Sequence, residues 1–423
     1  MDIIQSVNEI YSRSELNYRP RWIGPVLRTA LQDHPVVVVT GPRQAGKSTL
    51  LRHEKPFSEW RYLSLDDFDT LRQAERDPTA LWAGVDRIVL DEVQKSPALL
   101  SAVKQAVDQK RSRVSFVLSG SANLLLMRQV SESLSGRAVY FTLSPMTLGE
   151  MEQHSAPDLL GKLFQGEGLP EGMVAPTMDP LPLLARGFMP PLLTLSGQEA
   201  VTRWWEGYVA TYLERDLRQI SQIESLTDFR RLMEAVALRN GLMLNQTEVG
   251  RDIGLSQPTV HRYLNILEAT CLLDRLSTFA RNRTKRLMKS PKIYWIDPGL
   301  AAHLSGHFDA ASLATSREAG GLFESLILLH LKVLAQLLTP RPRFSYWRTI
   351  NGKEVDLVIE YGRKLLAVEI KLTTAPRYRD SENLRLFLEE YPETTAALLV
   401  HNGKEVKRLH EKIFAVPWQL LSG

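Results

Sequence analysis

The residues from Gly41 to Ser48 have the spacing of a phosphate-binding loop. They read Gly-Pro-Arg-Gln-Ala-Gly-Lys-Ser, which is the pattern G-x-x-x-x-G-K-S, and four valines precede them. An apolar strand that breaks into this turn and then into a helix directs backbone N–H groups at a phosphate. Lys47 would reach the β- and γ-phosphates, and the Ser48 hydroxyl would ligate Mg²⁺. The pattern predicts an ATP and Mg²⁺ site that comprises Gly41, Pro42, Arg43, Gln44, Ala45, Gly46, Lys47, Ser48 and Thr49.

Two acids end a second apolar run, Arg87–Leu90. Asp91 would hold Mg²⁺, directly or through water, and Glu92 would orient and polarise the attacking water. We therefore expect the bound ATP to be hydrolysed, with Lys47 and Glu92 as catalytic residues.

Three further polar residues have a candidate role beside the γ-phosphate. Ser119 and Ser121 follow the run Val114–Leu118, and either is a phosphate sensor or a turn serine. Arg137 follows Ser133-Leu-Ser-Gly, and it is either an arginine finger for a neighbouring subunit's nucleotide or a surface arginine.

Acidic residues also interrupt apolar β segments near the C-terminus. Asp356 lies in Glu-Val-Asp-Leu-Val-Ile, and Glu369 and Lys371 lie in Ala-Val-Glu-Ile-Lys, on one face of a strand. Glu324, on a preceding helix, would add a fourth ligand. Two carboxylates and a lysine on one sheet face are costly unless they bind something, and carboxylates gather Mg²⁺ for hydrolysis. The alternative is a buried cluster of ion pairs that shapes the sheet.

That pattern, D-x12-E-x-K, resembles the PD-(D/E)xK nuclease fold of restriction and repair enzymes, with Val355 in place of the usual proline. The resemblance implies a restriction-endonuclease-like α/β domain. Its members either cut nucleic acid with a metal ion or keep the fold for partner contacts.

A helix-turn-helix pattern occupies residues 228–278. The second helix has a Ser256 cap, apolar residues at helical spacing and an outward polar face. Two strands then flank a basic loop, with six cations in residues 281–292 including Lys292, and these cations would contact phosphates. The predicted nucleic-acid contacts are Gln257, Thr259, Arg262, Arg281, Arg283, Lys285 and Arg286. A winged helix that binds a protein is the alternative.

The remaining sequence sets bounds on the molecule. It has 423 residues, a net charge of +4, one cysteine and no apolar run near the roughly 20 residues that span a bilayer. We expect a cytoplasmic protein without a membrane contact. Five apolar runs alternate with helical stretches in the first third, which indicates an α/β fold with a parallel sheet.

These features together resemble the AAA+ superfamily, and more narrowly a prokaryotic family of ATPases with a C-terminal domain of unknown function. The phosphate loop, the Asp-Glu strand, Gly187-Phe-Met-Pro and Tyr208–Asp216 carry the resemblance. It implies an oligomer, with a hexameric ring favoured. The predicted domains are an ATPase core (1–150), a linker and helical lid (151–227), a winged helix (228–305) and a nuclease-like domain (306–423).

Three functions remain open. The first is an oligomeric DNA-binding motor or remodelling ATPase that acts in branch migration or translocation. The second is an ATP-switched regulatory protein whose nuclease-like domain is an inactive scaffold. The third is a metal-dependent DNA nuclease controlled by ATP.

Overall fold

The computed structural model describes residues 18–109, 114–120, 134–211, 223–281 and 290–423. The chain divides into two compact units, one that ends at Met146 and one that spans Thr147–Gly423. The predicted subdivision of the second unit into three domains stays a prediction. In the described ranges, no helix has the length and apolar character needed to cross a membrane.

The first unit is an α/β fold around a parallel sheet. Its strands are β1 (Val36–Thr40), β2 (Arg61–Ser64), β3 (Arg87–Asp91), β4 (Ser115–Ser119) and β5 (Ala138–Thr142). Its helices are α1 (Gly24–Asp33), α2 (Lys47–His53), α3 (Phe68–Arg76) and α4 (Pro97–Asp108), with 3₁₀ turns at Phe57–Glu59, Pro78–Trp82 and Val93–Lys95. The strand order is β2-β3-β4-β1-β5, and every pairing is parallel. The predicted parallel α/β core is confirmed.

Strand β1 consists of four valines and Thr40, and both of its faces are buried. Val36 and Val38 pack with helix α4 on one side of the sheet, and Val37 and Val39 pack with α1 and α2 on the other. Since the strands run in parallel, the turns that leave β1, β3 and β4 meet at one edge of the sheet.

The second unit begins with helices α5 (Leu148–Glu152), α6 (Leu159–Gln165), α7 (Leu181–Arg186) and α8 (Gln198–Thr211), and with a 3₁₀ turn at Pro190–Thr194. The helix-turn-helix region follows, with α9 (Leu226–Ala237), α10 (Gln246–Ile253), α11 (Gln257–Ala269), β6 (Leu273–Leu276) and β7 (Lys292–Trp295). Asn245 and Ser256 cap α10 and α11 through their side chains.

Residues between α9 and α10 add a third strand-like segment beside β7. Gly241 N donates to Ile293 O at 2.8 Å, and Leu244 N donates to Pro291 O at 2.9 Å. Strand β7 pairs antiparallel with β6 on its other side. The described residues between 226 and 295 therefore have the order helix, strand segment, helix, turn, helix and two antiparallel strands.

A six-stranded mixed sheet forms the C-terminal part. Its strands are β8 (Arg343–Arg348), β9 (Glu354–Tyr361), β10 (Lys364–Lys371), β11 (Thr394–His401), β12 (Lys407–His410) and β13 (Ile413–Pro417). The remaining helices are α12 (Pro298–Leu304), α13 (Ala310–Ala314), α14 (Ala319–Ala335) and α15 (Glu382–Glu390), with 3₁₀ turns at Tyr378–Ser381 and Trp418–Ser422. The order is β12-β13-β11-β10-β9-β8, and β9 is antiparallel to both of its neighbours, β8 and β10. Residues 277–279 extend the edge at β8, where Tyr346 N donates to Ser277 O at 3.1 Å.

Candidate functional site

The phosphate-loop residues form a tight turn at the carboxyl end of β1. Gly41 has φ of 145° and Gly46 has φ of 93°, and both angles disfavour side chains. A Cβ on Gly41 would also come within 2.3 Å of Leu143 O. Lys47 is only 6% exposed, and its ammonium donates to Gly41 O at 3.1 Å and Pro42 O at 2.9 Å. The Lys47 ammonium therefore lies over the loop, where it can meet a phosphate.

Asp91 joins the phosphate loop to β3. Ser48 Oγ donates to Asp91 Oδ2 at 2.6 Å, and Tyr62 Oη, on the neighbouring strand β2, donates to the same oxygen. Asp91 is buried. The burial of the Tyr62 hydroxyl and the negative charge of Asp91 beside it both raise the pKa of Tyr62. The structure thus brings the two predicted Mg²⁺ ligands together, and it adds a tyrosine that the sequence pattern did not predict.

Glu92 and Ser119 lie on the neighbouring turns. Glu92 has a left-handed backbone, its carboxylate accepts from Gln94, and burial beside Asp91 raises its pKa. Ser119 ends β4 in register with Val39, and its buried hydroxyl has no hydrogen-bond partner in the described chain. A buried hydroxyl without a partner is costly, so Ser119 suits a contact with a ligand. Ser121 lies outside the described residues.

A buried arginine that precedes α1 anchors the loop. Arg21 donates to Ala45 O at 2.9 Å, to Ser144 O at 2.8 Å and to Pro145 O at 3.2 Å. It ties the phosphate loop to the segment that leaves β5. Sequence reasoning missed Arg21 because no motif marks it.

Arg137 lies at the opposite edge of the sheet from the phosphate loop. It immediately precedes β5, which runs parallel to β1 for five residues, or roughly 16 Å. Its guanidinium makes a bidentate pair with Asp108 and donates to Ser135 O at 3.0 Å. The structure therefore does not bring Arg137 to the phosphate loop of its own chain.

The predicted nucleic-acid residues are only partly placed. Gln257 and Thr259 lie in the first turn of α11, and Arg262 on the same helix donates to Glu224 at 3.0 Å. Arg281 pairs with Glu393 at 3.2 Å and lies over the Tyr391 ring. The remaining predicted contacts lie outside the described residues: Arg283, Lys285 and Arg286.

The expectation that Lys292 contacts phosphates is wrong, because this residue is buried and only 3% exposed. Its ammonium lies 2.8 Å from Asp356 Oδ1, 2.9 Å from Glu354 Oε1 and 3.0 Å from Glu324 Oε2. Burial alone would lower the pKa of Lys292, but Asp356 and Glu324 raise it well above its usual value. The ammonium therefore stays charged.

All four predicted nuclease-like residues belong to this cluster. Asp356 accepts from Ile370 N at 2.8 Å, and Tyr294 donates to Glu324 at 2.7 Å. Glu369 is buried on β10, where Lys371 pairs with its Oε1 at 2.7 Å. Burial and the Asp356 charge raise the pKa of Glu369 to about 8 and that of Glu324 to about 7.

The donor set of this cluster does not fit a metal ion. Throughout the ranges that the structure covers, no group of three or more His, Cys, Asp or Glu residues is arranged to hold one. Three carboxylates instead converge on the Lys292 ammonium. Sequence reasoning missed the role of Lys292 because this residue is 64 positions away from Asp356 in the chain. It also missed Glu354, which lies two positions before Asp356.

Three family models match successive parts of the chain. An AAA domain matches residues 33–152, and two domains of unknown function, DUF8612 and DUF4143, match residues 181–311 and 319–421. The fold, the phosphate loop and the AAA domain together define a P-loop ATPase of the AAA type.

Two curated relatives are similar along most of their length. Uncharacterized proteins of Mycobacterium tuberculosis and Mycobacterium bovis are each 32% identical over 393 residues, which cover 92% of this chain and 82% of the relative. The chain belongs to the same protein family as these two relatives.

Solved structures are more distant. A Walker-type ATPase of Pyrococcus abyssi is 16% identical with a TM-score of 0.44, and covers 69% of this chain and 99% of its own. The Holliday junction branch migration motor RuvB of Thermotoga maritima is 14% identical with a TM-score of 0.27, and the match covers 59% of this chain and 85% of RuvB. Both TM-scores are below 0.5, so neither similarity bears on what this chain does.

Proposed function

We propose that the first unit binds ATP with Mg²⁺ at Gly41–Thr49 and hydrolyses it with the help of Glu92. The observation that carries the proposal is the 2.6 Å hydrogen bond from Ser48 to Asp91. It brings a hydroxyl and a carboxylate together beside the phosphate-binding loop, and both groups are oxygen ligands of the kind that Mg²⁺ prefers.

Each residue has a chemical part. Lys47 supplies a positive charge over the loop, and the loop amides donate to phosphate oxygens. When bound, Mg²⁺ neutralises charge that develops on the phosphates. Glu92, with its pKa raised by burial, is positioned to orient a water molecule and take up its proton. Ser119 offers its buried hydroxyl to the terminal phosphate.

Phosphate release from ATP tests this proposal. The wild-type chain should hydrolyse ATP with Mg²⁺ and stop when EDTA removes it. Lys47→Ala should lower kcat/KM by about 100-fold or more, since it removes a preorganised positive charge. Lys104→Ala, on an exposed turn of α4, is the matched control and should match wild type. Equal rates in Lys47→Ala and wild type would refute the proposal.

We further propose that Arg137 acts on the nucleotide of a second copy in a ring. Its position at the far edge of the sheet supports a role between chains rather than within one. Arg137→Ala should slow hydrolysis while ATP binding persists. Mixing it with Lys47→Ala chains should restore activity, because each mutant supplies what the other lacks. No recovery in the mixture would count against a shared site.

The second unit is a candidate nucleic-acid-binding element. The order of helices and strands in residues 226–295 supports a winged helix, with α11 as its recognition helix. Residues 223–281 contain seven acidic and seven basic side chains, so electrostatic attraction to DNA rests on the loop 282–289, which has four cations and no acid.

Fluorescence anisotropy with duplex and branched DNA at several salt concentrations tests this role. Arg286→Ala should lower the salt dependence of log Kd by roughly one unit, as the loss of one phosphate contact does. Arg72→Ala, an exposed arginine on α3 of the first unit, should leave it unchanged. No DNA binding at physiological salt would favour the regulatory alternative, in which this element binds a protein. Stimulation of hydrolysis by branched DNA would favour a motor.

For the carboxylate cluster we propose a scaffold role and not cleavage. The support is the Lys292 ammonium, which contacts Glu324 and Asp356, two of the three carboxylates that a cutting metal ion would need.

A further inference from the structure

The Lys292 ammonium has as many carboxylate partners in the cluster as it has hydrogen-bond donors. An ammonium group has three donors, and Lys292 Nζ has three carboxylate partners at 2.8–3.0 Å. The partners come from two elements of the second unit: Glu324 from α14, and Glu354 and Asp356 from β9. Such convergence makes the ammonium the central cation of the cluster.

A divalent cation would compete with this ammonium for the same carboxylates. Mg²⁺ binds oxygen ligands at about 2.0–2.1 Å, usually one or two carboxylates together with several water molecules. Asp356 is the first acid of the D-x12-E-x-K pattern and Glu324 is the additional predicted ligand, and both already contact Lys292. A second cation beside them would be repelled by the like charge of Lys292.

One oxygen of the cluster is still without a partner. Glu369 is 3% exposed, and its Oε2 has no hydrogen-bond partner in the described chain. It lies across from Asp356, because the adjacent residues Val368 and Leu357 pair between β10 and β9. The cluster thus retains one ligand atom that Lys292 does not satisfy.

We propose that Lys292 is an internal cation that keeps this cluster closed to divalent metal ions. It is an ion-pair contact that joins strand β7 to helix α14 and strand β9. Its removal from the cluster converts Asp356, Glu324 and Glu369 into a site for a divalent cation. This inference is independent of the ATP site.

Mn²⁺ binding by the full chain without nucleotide tests the inference. Lys292→Met keeps the length of the side chain and removes its charge. Electron paramagnetic resonance should count one more tightly bound Mn²⁺ per chain than in wild type, and Mn²⁺ should raise the Tm of this variant by several degrees more. Adding Asp356→Asn should abolish both gains. All variants carry the same phosphate loop, so its contribution cancels.

Lys292→Met leaves the buried Asp356 and the partly buried Glu324 and Glu354 without their cation, and it can unfold for that reason. Recovery of its circular dichroism spectrum by Mn²⁺ would then support the inference. Lys292→Met/Glu354→Gln removes one of the three charges and should fold while still gaining Mn²⁺. If the folded variants bind no more Mn²⁺ than wild type, the inference is overturned.

Discussion

Glu369 should make the second unit less stable as the pH rises. Its carboxyl is buried beside Asp356, and its pKa in the folded chain is about 8 against an ordinary 4.5. Below pH 4.5 both the folded and the unfolded chain hold the proton, so the stabilisation is fully present. Between pH 4.5 and 8 only the folded chain holds it, so the free energy of unfolding falls, and the contribution is lost above pH 8.

The size of this effect follows from the difference of 3.5 between the two pKa values. At 1.36 kcal/mol per unit, the upper value is about 5 kcal/mol. Glu369→Gln resembles the protonated side chain at every pH. The free energy of unfolding of Glu369→Gln minus that of wild type should therefore increase from pH 4.5 to pH 8. Other groups titrate in both proteins, so their contributions cancel in this difference.

Hydrogen–deuterium exchange of the β10 amides, corrected for intrinsic rates, measures this difference at pH 5.5, 7 and 8.5. Exchange reports the opening of one region, so unfolding of the first unit does not enter. Glu389→Gln, at the exposed end of α15, is the control and should differ from wild type by a constant amount. A constant difference for Glu369→Gln as well would mean that Glu369 is ionised in the fold, which would refute the reasoning.

Three further predictions concern single contacts. Tyr62→Phe removes only the hydroxyl that donates to Asp91, and should lower the stability of the first unit by about 1.5–3 kcal/mol in thermal or urea unfolding; an unchanged midpoint would contradict it. Arg21→Met frees the Ala45 carbonyl, and calorimetry should show ATP binding weakened by about tenfold, whereas unaltered affinity would exclude an anchoring role. His330 is buried and accepts from Leu148 N, and burial lowers its pKa to about 4, so its stabilising contribution is present above pH 6.5 and lost as the pH falls to 4. The stability advantage of wild type over His330→Gln should therefore shrink over that range in acid-unfolding experiments.

The first unit was largely predictable because its signals are local. The apolar runs before Gly41 and Asp91 are short strands buried on both faces, and the loop pattern requires glycine where Gly41 approaches Leu143 O. The meeting of Ser48 and Asp91 followed from the rule that parallel strands end at one edge. The roles of Arg21 and Tyr62 were not predicted, because a single buried arginine or tyrosine belongs to no sequence motif and no periodic pattern.

The second unit was predictable in its elements but not in the cluster they build. Strand alternation correctly placed Glu369 and Lys371 on one face, and the turn at Asn351-Gly352 led to the expected hairpin. Lys292 looked like one of several loop cations, since six cations occur in residues 281–292. Its burial depends on how β7 packs against α14 and β9, and neither charge nor periodicity encodes that packing.

Hydrolysis at the phosphate loop is tested most directly by Glu92→Gln. ATP binding and single-turnover cleavage should be measured on the same protein with Mg²⁺. We predict that Glu92→Gln binds ATP as wild type does but cleaves it at least about 100-fold more slowly, because the group that orients and deprotonates the attacking water is lost. Equal cleavage rates in the two proteins would contradict the assignment of Glu92, and with it the proposed mechanism.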